Sequence, residues 1–298
     1  MSQPEHIPVL LDETLKALDA GRPGLYIDGT IGLGGHSSAI LGRNPEASLV
    51  GLDLDEAAIK IAQERLAPFG DRVTLYHSDY RNLPELDIDF KAVRGVLIDM
   101  GMSSFQLDSP ERGFSHQTDG PLDMRMDGRN KTTAARILDK ASEVKLAQIF
   151  RDYGELKQAR KLARRIASAR RVQALESTTQ LRLIVEDVCH WIPQKGKIHP
   201  ASKVFQALRI EVNDELSNLG AFLETTLGLL PSGARLAVIA FHSLEDRIIK
   251  HTFLRLAKPE TGEPLIEILT RHPMIPADEE IARNPRSRSA KLRAAVRI

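Results

Sequence analysis

Residues 25–37 read Leu25-Tyr26-Ile27-Asp28-Gly29-Thr30-Ile31-Gly32-Leu33-Gly34-Gly35-His36-Ser37, and this stretch decides the fold. Leu25 to Ile27 is a short apolar run of the kind that forms a buried strand. Asp28 closes it, and glycines fill positions 29, 32, 34 and 35. Glycine lacks a Cβ, so the chain there can turn sharply and lie close to a ligand. From Ser37 the sequence Ser-Ser-Ala-Ile-Leu reads as the start of a helix. Strand, glycine loop and helix in that order open a nucleotide-type α/β domain. A second strand, Leu49 to Leu52, ends in Asp53. That carboxylate falls 18 residues after Gly35, near where such folds hold a ribose diol.

The loop departs from two familiar phosphate cradles. The dinucleotide pattern Gly-x-Gly-x-x-Gly, started at Gly32, would need glycine at position 37, which is Ser37. The phosphate loop needs Gly-Lys-Ser/Thr, and the stretch has no lysine. An acidic residue before a glycine turn suits a ligand with an ammonium group and a ribose but no pyrophosphate. S-adenosylmethionine fits that description. A tight turn that only packs helix on sheet would use the same glycines, and Asp53 at its distance favours the ligand.

The 298 residues suffice for one large domain or two small ones. Hydrophobic content of 42% allows a sizeable core. A single cysteine excludes a disulfide framework and points to a reducing compartment. No apolar stretch approaches the roughly 18 residues of a membrane span, and Met-Ser-Gln-Pro-Glu-His at the start has no signal-peptide character. A soluble cytoplasmic protein with no membrane partner is expected.

The net charge of +1 conceals an asymmetry. Residues 109–210 hold 20 basic and 11 acidic side chains, whereas the rest hold 21 and 29. The densest part, Arg151 to Arg171, has eight basic and two acidic residues. There Leu156, Ala159, Leu162, Ala163, Ile166 and Ala167 form one apolar helix face. Arg160, Lys161, Arg164, Arg165, Arg170 and Arg171 lie mostly around the remainder. Charge segregated by segment reads as a phosphate-contacting face more readily than as a solvated surface. Arg283 to Arg297 adds six basic residues and no acidic one, either as part of the same footprint or as a solvated edge.

The basic block also interrupts the α/β pattern. Strands are expected at 25–28, 49–53, 73–76 and 93–99, with helices near 37–42 and 55–67. From about 132 to 222 helical periods replace strands, and Arg235 to Phe241 resumes the pattern as a buried strand. A last strand is expected at Leu292 to Ile298. The expected organisation is a Rossmann-like α/β sheet, residues 1–108 and 211–298, with an inserted all-helical domain, residues 109–210. Asp99 ends the fourth strand, beyond which open α/β sheets place their chemistry. The sequence there is Asp99-Met-Gly-Met-Ser-Ser, not the Asp/Asn-Pro-Pro-aromatic of many amine methyltransferases. The position still suits an acceptor for a substrate amine, and a turn cap is the alternative.

Eight blocks together resemble one family. They are His6-Ile-Pro-Val-Leu-Leu-Asp-Glu13, Asp28 to His36, Asp99-Met-Gly-Met-Ser-Ser104, Gln106-Leu-Asp108 and Glu111-Arg-Gly-Phe-Ser115. Asp119-Gly-Pro-Leu-Asp-Met-Arg-Met-Asp127, Phe241-His-Ser-Leu-Glu-Asp-Arg247 and Asn284-Pro-Arg-Ser-Arg-Ser289 complete the set. The family is the bacterial 16S ribosomal RNA small-subunit cytosine-N4 methyltransferases, the MraW-like enzymes, and the resemblance spans essentially the whole chain. It implies a class I methyltransferase domain for S-adenosylmethionine with an inserted helical domain for the RNA. It implies a decoding-centre target, cytosine 1402 of 16S ribosomal RNA in the small ribosomal subunit. Carried over residue by residue, the cofactor contacts fall on Gly34, Gly35, His36, Asp53, Tyr80, Asp99 and Gln106. Tyr80 stands where the family often has Phe, which keeps an aromatic wall for adenine.

Carbon-5 methylation of cytosine needs a thiolate to attack the ring. The lone Cys189, in Val-Cys-His-Trp of the helical insert, suits packing better. Amine methylation needs no covalent intermediate. It needs acceptors that hold the amine hydrogens, so that the lone pair points in line with the methyl–sulfur bond, and a base that is unstacked or unpaired. Asp99, Ser103, Ser104 and His242 are the candidate acceptors. His242 reads equally as a core histidine, and the two serines as turn residues. No His/Cys/Asp group has metal-ligand spacing, so no metal is expected. Two rivals stay in view: an NAD-dependent oxidoreductase, and an RNA-binding module with a silent cofactor pocket. A homodimer stays open as an alternative to a monomer.

Overall fold

This computed structural model describes residues 7–194 and 197–298, apart from the side chains of Ser104 and Phe105. His6, which opens the first family block, lies outside the described residues, as does the Ser104 side chain. In chain order the strands are β1 (Gly24–Asp28), β2 (Ala47–Asp53), β3 (Val73–His77), β4 (Val93–Asp99), β5 (Arg235–Ala240), β6 (Ile266–Ile268) and β7 (Lys291–Arg297). The first helices are α1 (Leu11–Leu18), α2 (Gly35–Arg43) and α3 (Glu56–Leu66). Then come α4 (Ser104–Asp108), α5 (Ala134–Lys140), α6 (Glu143–Asp152), α7 (Ala159–Ala169), α8 (Thr178–Cys189) and α9 (Pro200–Asn213). Last are α10 (Leu219–Leu229), α11 (Ser243–Ala257) and α12 (Asp278–Arg283). The chain forms two compact units, Met1–Gly101 with Asn218–Ile298, and Met102–Ser217.

The first unit carries the sheet, in the order β3-β2-β1-β4-β5-β7-β6. β1 to β5 run parallel, and β7 pairs antiparallel with β5 and β6. This is the Rossmann-like α/β architecture expected above. β4 and β5 read as nearly unbroken apolar runs because helices cover both faces of a parallel sheet: Val96, Leu97 and Ile98 are fully buried, as are Leu236, Val238 and Ile239. Each such side chain contributes about 1.5–3 kcal/mol of burial. α3 starts where Asp55 accepts the Ala57 N–H at 3.0 Å, a cap that contributes about 1 kcal/mol. Strand order reverses between β1 and β4. In open α/β sheets that reversal opens a crevice at the carboxyl ends of the strands, and here Asp28 and Asp99 end the two strands that flank it. Not expected from the sequence are β6 and α12, which are too short to show a period, and α1 and α11.

The second unit is helical, α4 to α9, around Leu146, Phe150, Leu162, Ile166, Leu181 and Leu208. α7 buries Ala159, Leu162, Ala163, Ile166 and Ala167, the expected apolar face. Leu156 precedes that helix and is partly buried. Arg160, Lys161, Arg164, Arg165 and Arg171 are exposed. Part of this charge serves the fold. Lys161 Nζ donates to Val188 O at 3.1 Å near the end of α8. Arg170 Nη1 donates to Leu138 O and Ala141 O at 2.6 and 2.8 Å at the C-terminal end of α5. Cations at helix C-termini offset the partial negative charge there.

Residues 102–108 and 211–217, assigned above to the sheet domain, pack instead with the helices. The reason is local bonding. α9 continues to Asn213, whose side chain accepts the Met126 N–H at 2.7 Å and donates to Met124 O at 2.8 Å. Just beyond, Glu215 forms a buried bidentate pair with Arg209 at 2.8 and 2.7 Å. Among the described residues no helix is long and apolar enough to cross a membrane.

Candidate active site

At the carboxyl edge of the sheet, strands end but their neighbours run on, so backbone N–H groups lose their ladder partners. Such groups must find another acceptor. Side chains supply it at each of four adjacent strand ends. After β1, Asp28 Oδ1 accepts Thr30 N–H at 3.2 Å, and Oδ2 accepts the Ser37 hydroxyl at 2.7 Å. After β2, Asp53 Oδ2 accepts Gly32 N–H at 2.8 Å and Oδ1 accepts Asp55 N–H at 2.9 Å. After β4, Thr30 Oγ1 accepts Asp99 N–H at 2.6 Å. After β5, Glu245 Oε2 accepts the N–H groups of Phe241 and His242 at 2.8 and 3.2 Å.

These bonds shape the glycine loop. Gly29 must lack a side chain, since a Cβ there would come within 2.4 Å of Ile98 Cδ1 and 2.9 Å of Tyr80 Cβ. Gly32 has φ +51, and a Cβ built on it meets nothing nearer than Thr30 O at 3.9 Å. The loop is therefore left-handed at Gly32 and open on that side. Gly34 is the left-handed N-cap of α2, and Pro8 lies against Gly35.

In the bonds just described Asp28 and Asp53 use both carboxylate oxygens and Glu245 uses Oε2. Asp99 is the exception. Its Oδ1 is buried and has no hydrogen-bond partner among the described residues, while the side chain as a whole keeps 24% of its surface exposed. Its Oδ2 lies 3.7 Å from His36 Nδ1, beyond hydrogen-bond reach. His36 is buried, with Nε2 2.9 Å from Val9 O. A carbonyl only accepts, so the proton is assigned to Nε2 and the Nδ1 side faces Asp99.

Burial, with a smaller contribution from neighbouring acids, raises the pKa values of these carboxylates. Burial pushes Asp28 up to about 6, against the bonds from Ser37 and Thr30 and with help from the charge of Asp53. Burial likewise pushes Asp53 up to about 6, opposed by the Asp55 and Gly32 N–H bonds. Asp99 is raised well above the usual carboxylate range by burial first, then by the charges of Asp28 and Glu245. An edge with several reluctant carboxylates is complementary to a cation.

The remaining candidates fall into place as follows. Asp28, read from sequence as facing a ligand ammonium, is 1% exposed, with both oxygens turned onto the loop and α2. His242 N-caps α11. Its Nδ1 accepts Glu245 N–H at 3.4 Å, and its Nε2 is 3.1 Å from Glu245 Oε1. Tyr80 opens a 3-10 turn and meets Phe222 edge-on at 4.9 Å. Ser103 and Gln106 belong to the helical unit. Ser103 Oγ accepts Gln106 N–H at 3.2 Å and Gln106 Oε1 accepts Ser103 N–H at 3.1 Å, a capping box that starts α4. Cys189 ends α8, and burial raises its thiol pKa. Sequence reasoning missed Thr30, Ser37 and Glu245. Glu245 was visible as the third residue of a capping pattern after His242, whereas Ser37 bonds back over the glycine loop to Asp28 and Thr30 bonds across the fold to Asp99.

A family model described as the MraW methylase family matches residues 3–298. A ribosomal RNA small subunit methyltransferase H from Symbiobacterium thermophilum is 47% identical and covers 98% of this chain and 96% of its own length. The protein of the same description from Carboxydothermus hydrogenoformans is 45% identical over 98% of each chain. Among solved structures, an rRNA methylase from Streptococcus thermophilus has a TM-score of 0.44 at 10% identity, covering 98% of this chain and 99% of that one.

Proposed function

Since this chain belongs to the MraW methylase family, we propose that it methylates the exocyclic N4 of a decoding-centre cytosine, cytosine 1402, in 16S ribosomal RNA. The coarser activity, S-adenosylmethionine-dependent methylation of small-subunit ribosomal RNA, follows from what its relatives are named for. The reaction belongs to the bacterial cytoplasm, with the small ribosomal subunit or its RNA as partner. The helical unit is the RNA-recognition part of this reading, with the exposed face of α7 as its phosphate contact.

The residues present fit the cofactor. Gly32 leaves open space over the loop. Each Asp53 oxygen accepts one backbone N–H and retains a second lone pair for a ribose hydroxyl. Asp99 adds an unused acceptor to an acid-rich edge. When bound, S-adenosylmethionine supplies an electrophilic methyl group on a cationic sulfur. A positive charge at this edge offsets the repulsion among Asp28, Asp99 and Glu245 and favours ionised Asp99.

Asp99 then has one role before transfer and one after. Its Oδ1 accepts an N4 hydrogen of the cytosine and turns the nitrogen lone pair out of conjugation. Transfer forms the N4–carbon bond and breaks the carbon–sulfur bond, and the proton released from N4 passes to Asp99. The observation that carries this reading is the partnerless Oδ1 at the end of β4, beside Asp28 and Asp53, whose oxygens each accept a protein hydrogen bond. A raised Cys189 pKa also speaks against a thiolate route to carbon 5.

The test is transfer of labelled methyl from S-adenosylmethionine to 16S RNA in small subunits that lack the modification. Mass spectrometry should find the methyl on N4 of cytosine 1402. A product methylated at carbon 5, or at another nucleotide, would overturn the assignment.

A further inference from the structure

The end of β4 poses a specific bonding problem. β1 stops at Asp28, and the last backbone bond on that side runs from Gly29 N–H to Leu97 O at 2.9 Å. β4 continues to Asp99. On its β5 side the chain stays paired, since Met100 N–H donates to Ile239 O at 2.9 Å. The Asp99 N–H points to the β1 side, where the glycine loop has already turned away. Among the described residues no strand carbonyl accepts it, and Thr30 Oγ1 takes the bond at 2.6 Å.

We propose that Thr30 is a positioning residue for Asp99, its hydroxyl standing in for the strand carbonyl that β1 no longer provides. This inference rests on the reading of Asp99 as the group at the reacting end. Two features suit Thr30 to the task. Its backbone N–H is held by Asp28 Oδ1, so the residue that fixes Asp99 is itself fixed from β1. Its branched Cβ restricts χ1, so the hydroxyl is held with little rotamer freedom. The chain Asp28–Thr30–Asp99 thus links the two strands at the point where the strand order reverses. It sets the Asp99 carboxyl relative to the glycine loop. A catalytic group displaced by about 1 Å loses on the order of 100-fold in rate.

The test compares Thr30→Val, Thr30→Ser and Asp99→Asn in the full-length enzyme. Valine keeps the shape and removes the acceptor, whereas serine keeps the acceptor. Cofactor affinity is read by calorimetry, folding by thermal melting, and kcat and KM for small subunits by labelled methyl transfer. Thr30→Val is expected to lower kcat by about 30- to 100-fold, with cofactor Kd and substrate KM each within about threefold of wild type. Thr30→Ser should recover most of that loss. A residue with only a structural role would lower the melting temperature and leave kcat per folded molecule unchanged, and that result would overturn the proposal. If Thr30→Val does not fold, Thr30→Ala carries the same expectation, with serine again the rescue. The Asp99→Asn arm separates the two levels of the argument. Full activity in that variant removes the reading of Asp99 itself. Loss in Asp99→Asn beside wild-type kcat in Thr30→Val removes only the role of Thr30.

Discussion

Replacing Asp28 with Asn is expected to stabilise the protein above pH 6, against the usual outcome for a buried hydrogen-bonded aspartate. Asp28 is 1% exposed and its pKa is pushed from 3.8 up to about 6. An acid whose pKa is raised on folding favours the native state while protonated. That contribution is complete below about pH 4, is lost as pH rises through about 6, and stays lost above. At 1.36 kcal/mol per unit the ionisation penalty at pH 8 is about 3 kcal/mol, falling to about 1 kcal/mol at pH 4.5. Asparagine has no such penalty and can keep both bonds. Its carbonyl oxygen accepts Thr30 N–H, and its NH2 donates to Ser37 Oγ, which reverses its present role. The stability gap between variant and wild type should therefore be about 2 kcal/mol more favourable to the variant at pH 8 than at pH 4.5. That difference does not depend on what the substitution costs in packing, because the packing cost is the same at both pH values. Urea unfolding of both proteins at the two pH values measures it. A gap that is constant with pH, or that favours the variant more at pH 4.5, refutes the reasoning. The same change removes one of the charges that raise Asp99, so the acid limb of the pH–rate profile should move to lower pH.

Other substitutions probe the remaining assignments. Asp53→Ala removes the acceptor of Gly32 and Asp55 N–H together with the proposed ribose acceptor. It should weaken cofactor binding by about 1–3 kcal/mol, and calorimetry showing unchanged affinity in a folded variant would rule out its ligand role. Reversing Arg160, Lys161, Arg164 and Arg165 to Glu should weaken RNA binding and flatten its salt dependence while cofactor affinity holds. Reversing Arg160 and Arg171 alone, which leaves the Lys161 bond to α8 intact, should move RNA affinity in the same direction; if neither set moves it, the footprint lies elsewhere. Cys189→Ser should retain most methyl transfer, and RNA carrying 5-fluorocytosine at the target should form no covalent adduct. An adduct that disappears in Cys189→Ser would establish carbon-5 chemistry instead.

The sequence exposes some layers of this site and conceals others, for a physical reason. Strand, loop and helix at 25–43 are legible because an apolar run, glycines and helical spacing are local signals. The strand ends are legible too, since Asp28, Asp53 and Asp99 each close such a run. What each carboxylate does is not local. Asp28 and Asp53 look alike in sequence to Asp99, and all three are acids at the ends of buried strands. They differ in which lone pairs are occupied, and that depends on partners such as Ser37 for Asp28 and Gly32, 21 residues away, for Asp53. Thr30 and Asp99 are 69 residues apart and become neighbours only once β4 lies beside β1. The same holds for the basic insert. Composition shows an excess of cations but not that Lys161 and Arg170 bond the ends of other helices. On the proposed reading, what marks the reacting acid is a surplus of hydrogen-bonding capacity. Asp28 and Asp53 have each oxygen on a protein donor, whereas Asp99 Oδ1 has none among the described residues, and the proposed function gives that acceptor to the substrate.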